Sequence, residues 1–140
     1  MNIENVLKKT LSPSQYQAIH ILGEQFNVLG VRAFLVGGTV RDLILGNPIT
    51  DLDIVVESNP QELVGKFDVK YEIEVLSYSQ FGTCKINLVG QTIDLAMARS
   101  EKYPSPGDLP VVEQASFEDD LARRDFSINA FAAVSYTHLR

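Results

Sequence analysis

One stretch of this chain, Ala33 to Glu57, limits its folding options more than any other: AFLVGGTVRDLILGNPITDLDIVVE. It holds a short apolar run, a Gly-Gly turn, an amphipathic segment, a proline-containing turn and a second apolar run. The second run opens on two acids, Asp51 and Asp53. On a strand, acids two residues apart point to one face with their stems roughly 6.6 Å apart. Two carboxylates about 4 Å apart repel by roughly 4 kcal/mol at an effective dielectric near 20, so a gathered set needs a cation. A hard divalent ion such as magnesium prefers such oxygen ligands. The alternative is that both acids cap a turn after Pro48, with Asp53 solvated at the strand edge.

Gly37 and Gly38 shift the balance between those readings. They follow Phe34-Leu35-Val36 and precede Thr39-Val40-Arg41-Asp42, where Thr39 with Asp42 has the spacing of a capped helix start. Strand, glycine turn and helix start leave backbone N–H groups outward, which suits a phosphate, and Arg41 can add a bidentate charge. The plain alternative is a tight turn in which glycine serves packing. No Gly-Lys-Ser/Thr follows, so the Walker pattern is not met.

The 140 residues make one domain with a single core, 45% hydrophobic and 21% charged, as in ordinary globular proteins. No membrane span or signal peptide is expected. Cys84 has no second cysteine for a disulfide and reads as a core thiol of a reducing, cytoplasmic compartment. His20 and His138 lie outside every motif, which argues against a histidine triad or a His/Cys zinc site. The net charge of −6 makes a poor stand-alone nucleic-acid binder, because that affinity comes mainly from Lys and Arg on phosphates.

In chain order, helical periodicity runs from about Ile3 to Leu29, with Ala18, Leu22, Phe26 and Leu29 on one face and a start at Ser12-Pro13 or Ser14. Strand one covers about Arg32–Val36, a helix Thr39–Leu45 and strand two Leu52–Glu57. A short helix over 60–67 has Asn59 as its cap. Strands follow at Tyr71–Leu76, Thr83–Leu88 and Thr92–Ala98, the last two joined as a hairpin. Asp94 sits between Ile93 and Leu95, and an acid inside an apolar strand needs a partner. An antiparallel pairing with Asp51–Val56 would make it the third carboxylate of the site; a strand-edge acid facing water is the alternative. Arg99 to Ala115 reads as a polar loop with prolines at 104, 106 and 110. Ser116 with Asp119 can cap a further helix, before Arg123-Arg124-Asp125-Phe126 and Ser127-Ile128-Asn129-Ala130. The arginines there suit a triphosphate and the Asp and Asn a ribose hydroxyl, or the segment is a solvated helix end.

LVGGTVRDLILG and DLDIVVE, with IDLAMAR and EDDLARRDFSINA downstream, resemble the bacterial tRNA nucleotidyltransferase/poly(A) polymerase family of the class II CCA-adding type, over about Phe34 to Ala133. The resemblance implies an α+β, polymerase-β-like head: a mixed, mostly antiparallel sheet with flanking helices. The expected organisation is an N-terminal helical segment over 1–30, the head over 31–133, and a tail over 134–140 that departs from the family's continuation and reads as foreign or truncated. Carried over by position, Asp51, Asp53 and Asp94 (a Glu in many relatives) would bind two magnesium ions. Gly37, Gly38, Arg41, Arg123, Arg124, Asp125 and Asn129 would hold the nucleotide. The implied reaction is template-independent nucleotidyl transfer from CTP or ATP to the 3′ end of tRNA, as CCA, CC or A addition. The family's base-selecting neck and tRNA-holding body are not in the sequence. Poly(A) polymerase shares these motifs, and an inactive nucleotide-binding fragment is the reading from another class. A small-molecule nucleotidyltransferase of the antibiotic-modifying kind shares the Asp-x-Asp but typically not the Arg-Arg-Asp-Phe segment, and ranks last.

Overall fold

The architecture comes from a computed structural model, which describes residues 3–102, 107, 111–114 and 127–128. The N-terminal periodicity resolves into two helices, α1 (Ile3–Thr10) and α2 (Pro13–Leu29), rather than one. The break is at Ser12. Its side chain accepts from the Gln15 backbone N–H while the Gln15 side chain accepts from the Ser12 N–H, a reciprocal capping box with Pro13 behind it. Gly30, at φ 68°, ends α2. The inward residues Ala18, Ile19, Leu22 and Phe26 are buried in one core with Leu7 of α1 and Leu11 just after it.

Strand β1 (Ala33–Val36) runs directly into helix α3 (Gly37–Leu45), and β2 (Leu52–Val56) follows a proline loop. Helix α4 (Pro60–Gly65) starts where Asn59 accepts from the N–H groups of Gln61 and Glu62. The next strand, β3, is Glu74–Ser79. The expected strand over Tyr71–Leu76 is therefore displaced: Val69–Tyr71 forms a 3-10 turn, started by the Asp68 side chain accepting from the Lys70 N–H. Local side-chain capping overrides the apolar pattern there. Strands β4 (Thr83–Leu88) and β5 (Gln91–Met97) form a hairpin through Val89-Gly90, both at positive φ, as the twist of a two-residue turn demands.

The segment expected as a polar loop instead contains a two-stranded antiparallel ribbon, β6 (Arg99–Lys102) with β7 (Val111–Gln114). The prolines lie between the two strands, where no ladder hydrogen bond is lost to them. Strand β8 (Ser127–Ile128), which the sequence pattern did not suggest, pairs with Leu35 and Val36.

The main sheet has the order β3-β4-β5-β2-β1-β8 and is mixed and mostly antiparallel. Its parallel pair is β2 with β5, which corrects the antiparallel pairing expected for Asp94's strand. Hairpins put β4 between β3 and β5, and the crossover through α4 brings β5 back alongside β2 in the same direction. One face of the sheet (Leu35, Leu52, Ile54, Val56, Ile86, Ile93, Leu95) is buried in the same core as α1 and α2. The other face carries the small cluster of Val36, Val55 and Ala98, and beside it the polar residues of the candidate site. Among the described residues no helix is long and apolar enough to cross a membrane.

Candidate functional site

The alternation along β2 sends Leu52, Ile54 and Val56 to the core and leaves Asp53 on the opposite face. The same alternation in β5 buries Ile93 and Leu95 and leaves Asp94 on that opposite face. The register makes Asp53 and Asp94 direct partners across the parallel pair. Adjacent strands lie about 4.8 Å apart, so two half-buried carboxylate stems stand side by side. Asp51 is exposed and lies one residue before the strand begins.

The partner that Asp94 requires comes from β4. Lys85 is its antiparallel register partner, and Lys85 Nζ lies 3.6 Å from Asp94 Oδ1. Lys85, Asp94 and Asp53 therefore form one row across three adjacent strands.

At the other side of Asp53 stands the glycine turn. Gly37 has φ 63°, a left-handed conformation that an L side chain adopts only with strain, and a Cβ placed on it would lie 3.8 Å from Asp53 Oδ2. A Cβ on Gly38 would lie 3.4 Å from Arg41 Nη2, so the Arg41 guanidinium rests against the turn. Arg41 is exposed, with its Nε 3.4 Å from Asp42 Oδ1. The glycine turn thus lies beside the acid pair, next to Asp53.

The capped helix start expected at Thr39 is not formed. Helix α3 begins at Gly37 with Val36 at its cap and no side-chain cap bond. Thr39 is buried, at 1% exposure, and its hydroxyl has a different task. Oγ1 donates to the Asp51 carbonyl at 2.9 Å and accepts from the Asp53 N–H at 2.8 Å. One hydroxyl thus clamps both ends of the Asp-x-Asp to the helix that follows the glycines. The sequence signal for it was present: a polar residue on the inward face of an amphipathic segment needs a partner. Gln15 adds a further tie, donating from Nε2 to the Ile49 carbonyl in the loop that leads to Asp51.

The donor set is all carboxylate oxygen, which suits a hard divalent cation. Among the described residues no three His, Cys, Asp or Glu side chains form a closed metal cage. Of the expected trio Asp51, Asp53 and Asp94, the register sets Asp53 and Asp94 side by side, and Asp51 does not join them in one metal-holding group. The pair Asp53–Asp94 fits such an ion. Arg123, Arg124, Asp125 and Asn129 lie outside the described residues, as do the helix expected after Ser116 and the tail. Ser127, next in the same segment, is the register partner of Val36, one residue before Gly37. Cys84 is a buried thiol on the core face, and burial pushes its pKa up.

The Poly A polymerase head domain family matches residues 33–139. The A-adding tRNA nucleotidyltransferase of Halalkalibacterium halodurans is 37% identical over 132 residues, which is 94% of this chain and 31% of that protein. The A-adding tRNA nucleotidyltransferase of Aquifex aeolicus is 44% identical over 102 residues, 73% of this chain and 12% of that protein. Among solved structures, the apo form II of a CCA-adding enzyme superposes with a TM-score of 0.77 at 36% identity, over 93% of this chain and 31% of that one. The chain thus spans less than a third of the length of these relatives.

Proposed function

For this chain, which belongs to the Poly A polymerase head domain family, we propose the catalytic role in nucleotidyl transfer from ATP or CTP to the 3′ end of a tRNA. The observation that carries the reading is the placement of Asp53 beside Asp94, on the open sheet face and next to the Gly37 turn. Solved relatives bound to ATP and to CTP support the nucleotide assignment, and one bound to tRNA supports the acceptor.

In the proposed reaction the terminal 3′-hydroxyl of the acceptor forms a bond to the α-phosphorus of the nucleotide. The bond to the β-phosphate oxygen breaks, and pyrophosphate leaves. Magnesium, two ions in this reading, supplies Lewis-acid activation of that hydroxyl and charge stabilisation of the leaving group. Asp53 and Asp94, with Asp51 from the adjoining loop, hold the metal. Gly37 keeps the turn free of side chains so that backbone can approach the phosphates, and Arg41 offers a guanidinium to them. Thr39 fixes the Asp-x-Asp against the helix, so acids and phosphate turn move as one body. Arg123 and Arg124 serve the triphosphate, and Asp125 and Asn129 the ribose. The pairing of Ser127 with Val36, beside the glycine turn, supports that assignment. No histidine base is required, since positioning and electrostatics carry this chemistry. The proposed setting is the cytoplasm, and residues 31–133 form the head.

The test is incorporation of labelled nucleotide into tRNA lacking its 3′ CCA, with ATP and CTP supplied separately and together, in magnesium. Incorporation from ATP alone onto tRNA ending in CC assigns A addition. Incorporation of both nucleotides in sequence assigns CCA addition. Long adenylate tails on unrelated RNA would point to a poly(A) polymerase instead. Nucleotide binding with no product from any acceptor would contradict a catalytic role for the chain.

A further inference from the structure

Lys85 is the one member of the site-face row that the reading above leaves without a task. It is half-exposed, as is Asp94 (46% and 38%), so neither side chain is locked by packing. The register nevertheless holds the two in direct opposition, at 3.6 Å, with Asp53 on the next strand. Lysine is a compact charge on a flexible stem and can be drawn off a carboxylate without moving the backbone. A divalent ion entering between Asp53 and Asp94 meets that ammonium as a like charge already seated on one of its ligands.

We propose that Lys85 is a built-in counter-cation for the acid pair, competing with the divalent ion for Asp94 and weakening metal binding in the absence of nucleotide. The proposal rests on the reading of Asp53 and Asp94 as metal ligands. An incoming triphosphate brings negative charge that can take up the displaced ammonium, so metal and nucleotide should load together. A cross-strand pair that merely steadies the sheet would change folding stability and leave metal affinity alone.

The test is Mn²⁺ binding to the 140-residue chain, followed by the loss of the free-ion paramagnetic resonance signal at low salt without nucleotide. Lys85→Gln and Lys85→Met should each bind Mn²⁺ about threefold to tenfold more tightly than the wild type, as removal of a nearby like charge implies. Lys85→Arg should match the wild type. The gain should shrink in about 0.5 M salt, where such charges are screened, and should vanish when Asp94→Asn is combined with Lys85→Gln. The Met variant keeps most of the stem and guards against a folding defect in the Gln variant. Mn²⁺ affinity unchanged within twofold in both neutral variants, with measurable binding to wild type, overturns the role of Lys85 alone. No Mn²⁺ uptake by wild type or any variant overturns the metal reading and this proposal with it.

Discussion

Thr39 shows how one buried hydroxyl can matter more than its chemistry suggests. It satisfies the Asp51 carbonyl and the Asp53 N–H together, at 2.9 and 2.8 Å. Thr39→Val keeps the shape and strands both groups, so stability should fall by about 1–3 kcal/mol in urea unfolding, whereas Thr39→Ser should stay close to wild type. An equally stable Val variant would remove the clamp from the account. Cys84 gives a second residue-scale expectation. Burial raises its pKa, so the folded chain keeps the proton at pH values where the unfolded chain releases it. Its contribution to stability is therefore complete below the ordinary thiol range and lost as pH rises through and above it. Thiol reagents should label native protein slowly at pH 8 and quickly in denaturant; fast native labelling would contradict the burial. The Asp-x-Asp, the glycines and the buried cysteine were legible as residue types. The role of Thr39 is hidden in the sequence because a Thr three residues before an Asp fits a capping box, and only the fold shows that helix α3 begins two residues earlier.

At the scale of elements, local chemistry predicts well where it is self-contained. Ser12, Asn59 and Gly30 end or begin helices as their side chains and backbones allow. Ser12→Ala should cost about 1 kcal/mol, read as a lower denaturant midpoint. The β4–β5 turn is a different case, since Val89 is a β-branched residue at φ 47°. Val89→Asn suits that conformation better and should stabilise the protein by about 0.5–1 kcal/mol in thermal unfolding; a loss of stability would contradict the turn geometry. Pairing partners were less legible. Sequence proximity reveals hairpins, but the insertion of β5 beside β2 depends on a crossover whose direction no local pattern encodes. The ribbon β6–β7 was hidden for a related reason: three prolines dominate the segment's composition while its short strands lie on either side of them.

For the whole molecule, the sheet has two unequal faces, and the division explains where chemistry can occur. The face under α1 and α2 carries the main apolar core, while the other places Lys85, Asp94 and Asp53 in a row that ends beside the Gly37 turn. Two carboxylates about 5 Å apart repel by roughly 3 kcal/mol at an effective dielectric near 20, and the Lys85 ammonium 3.6 Å from Asp94 offsets part of that cost. The fold class was readable because its motifs occur in the right order along one chain. The setting of Asp94 beside Asp53 was not, since it depends on the parallel pairing of β2 with β5, strands far apart in the chain. The most direct test is magnesium-dependent incorporation of labelled AMP and CMP into tRNA lacking its 3′ CCA, comparing wild type with Asp53→Ala. The account predicts turnover by the wild type and a loss of about a thousandfold or more in the variant, with a melting temperature no lower than that of the wild type. Turnover within tenfold of wild type in Asp53→Ala would contradict it.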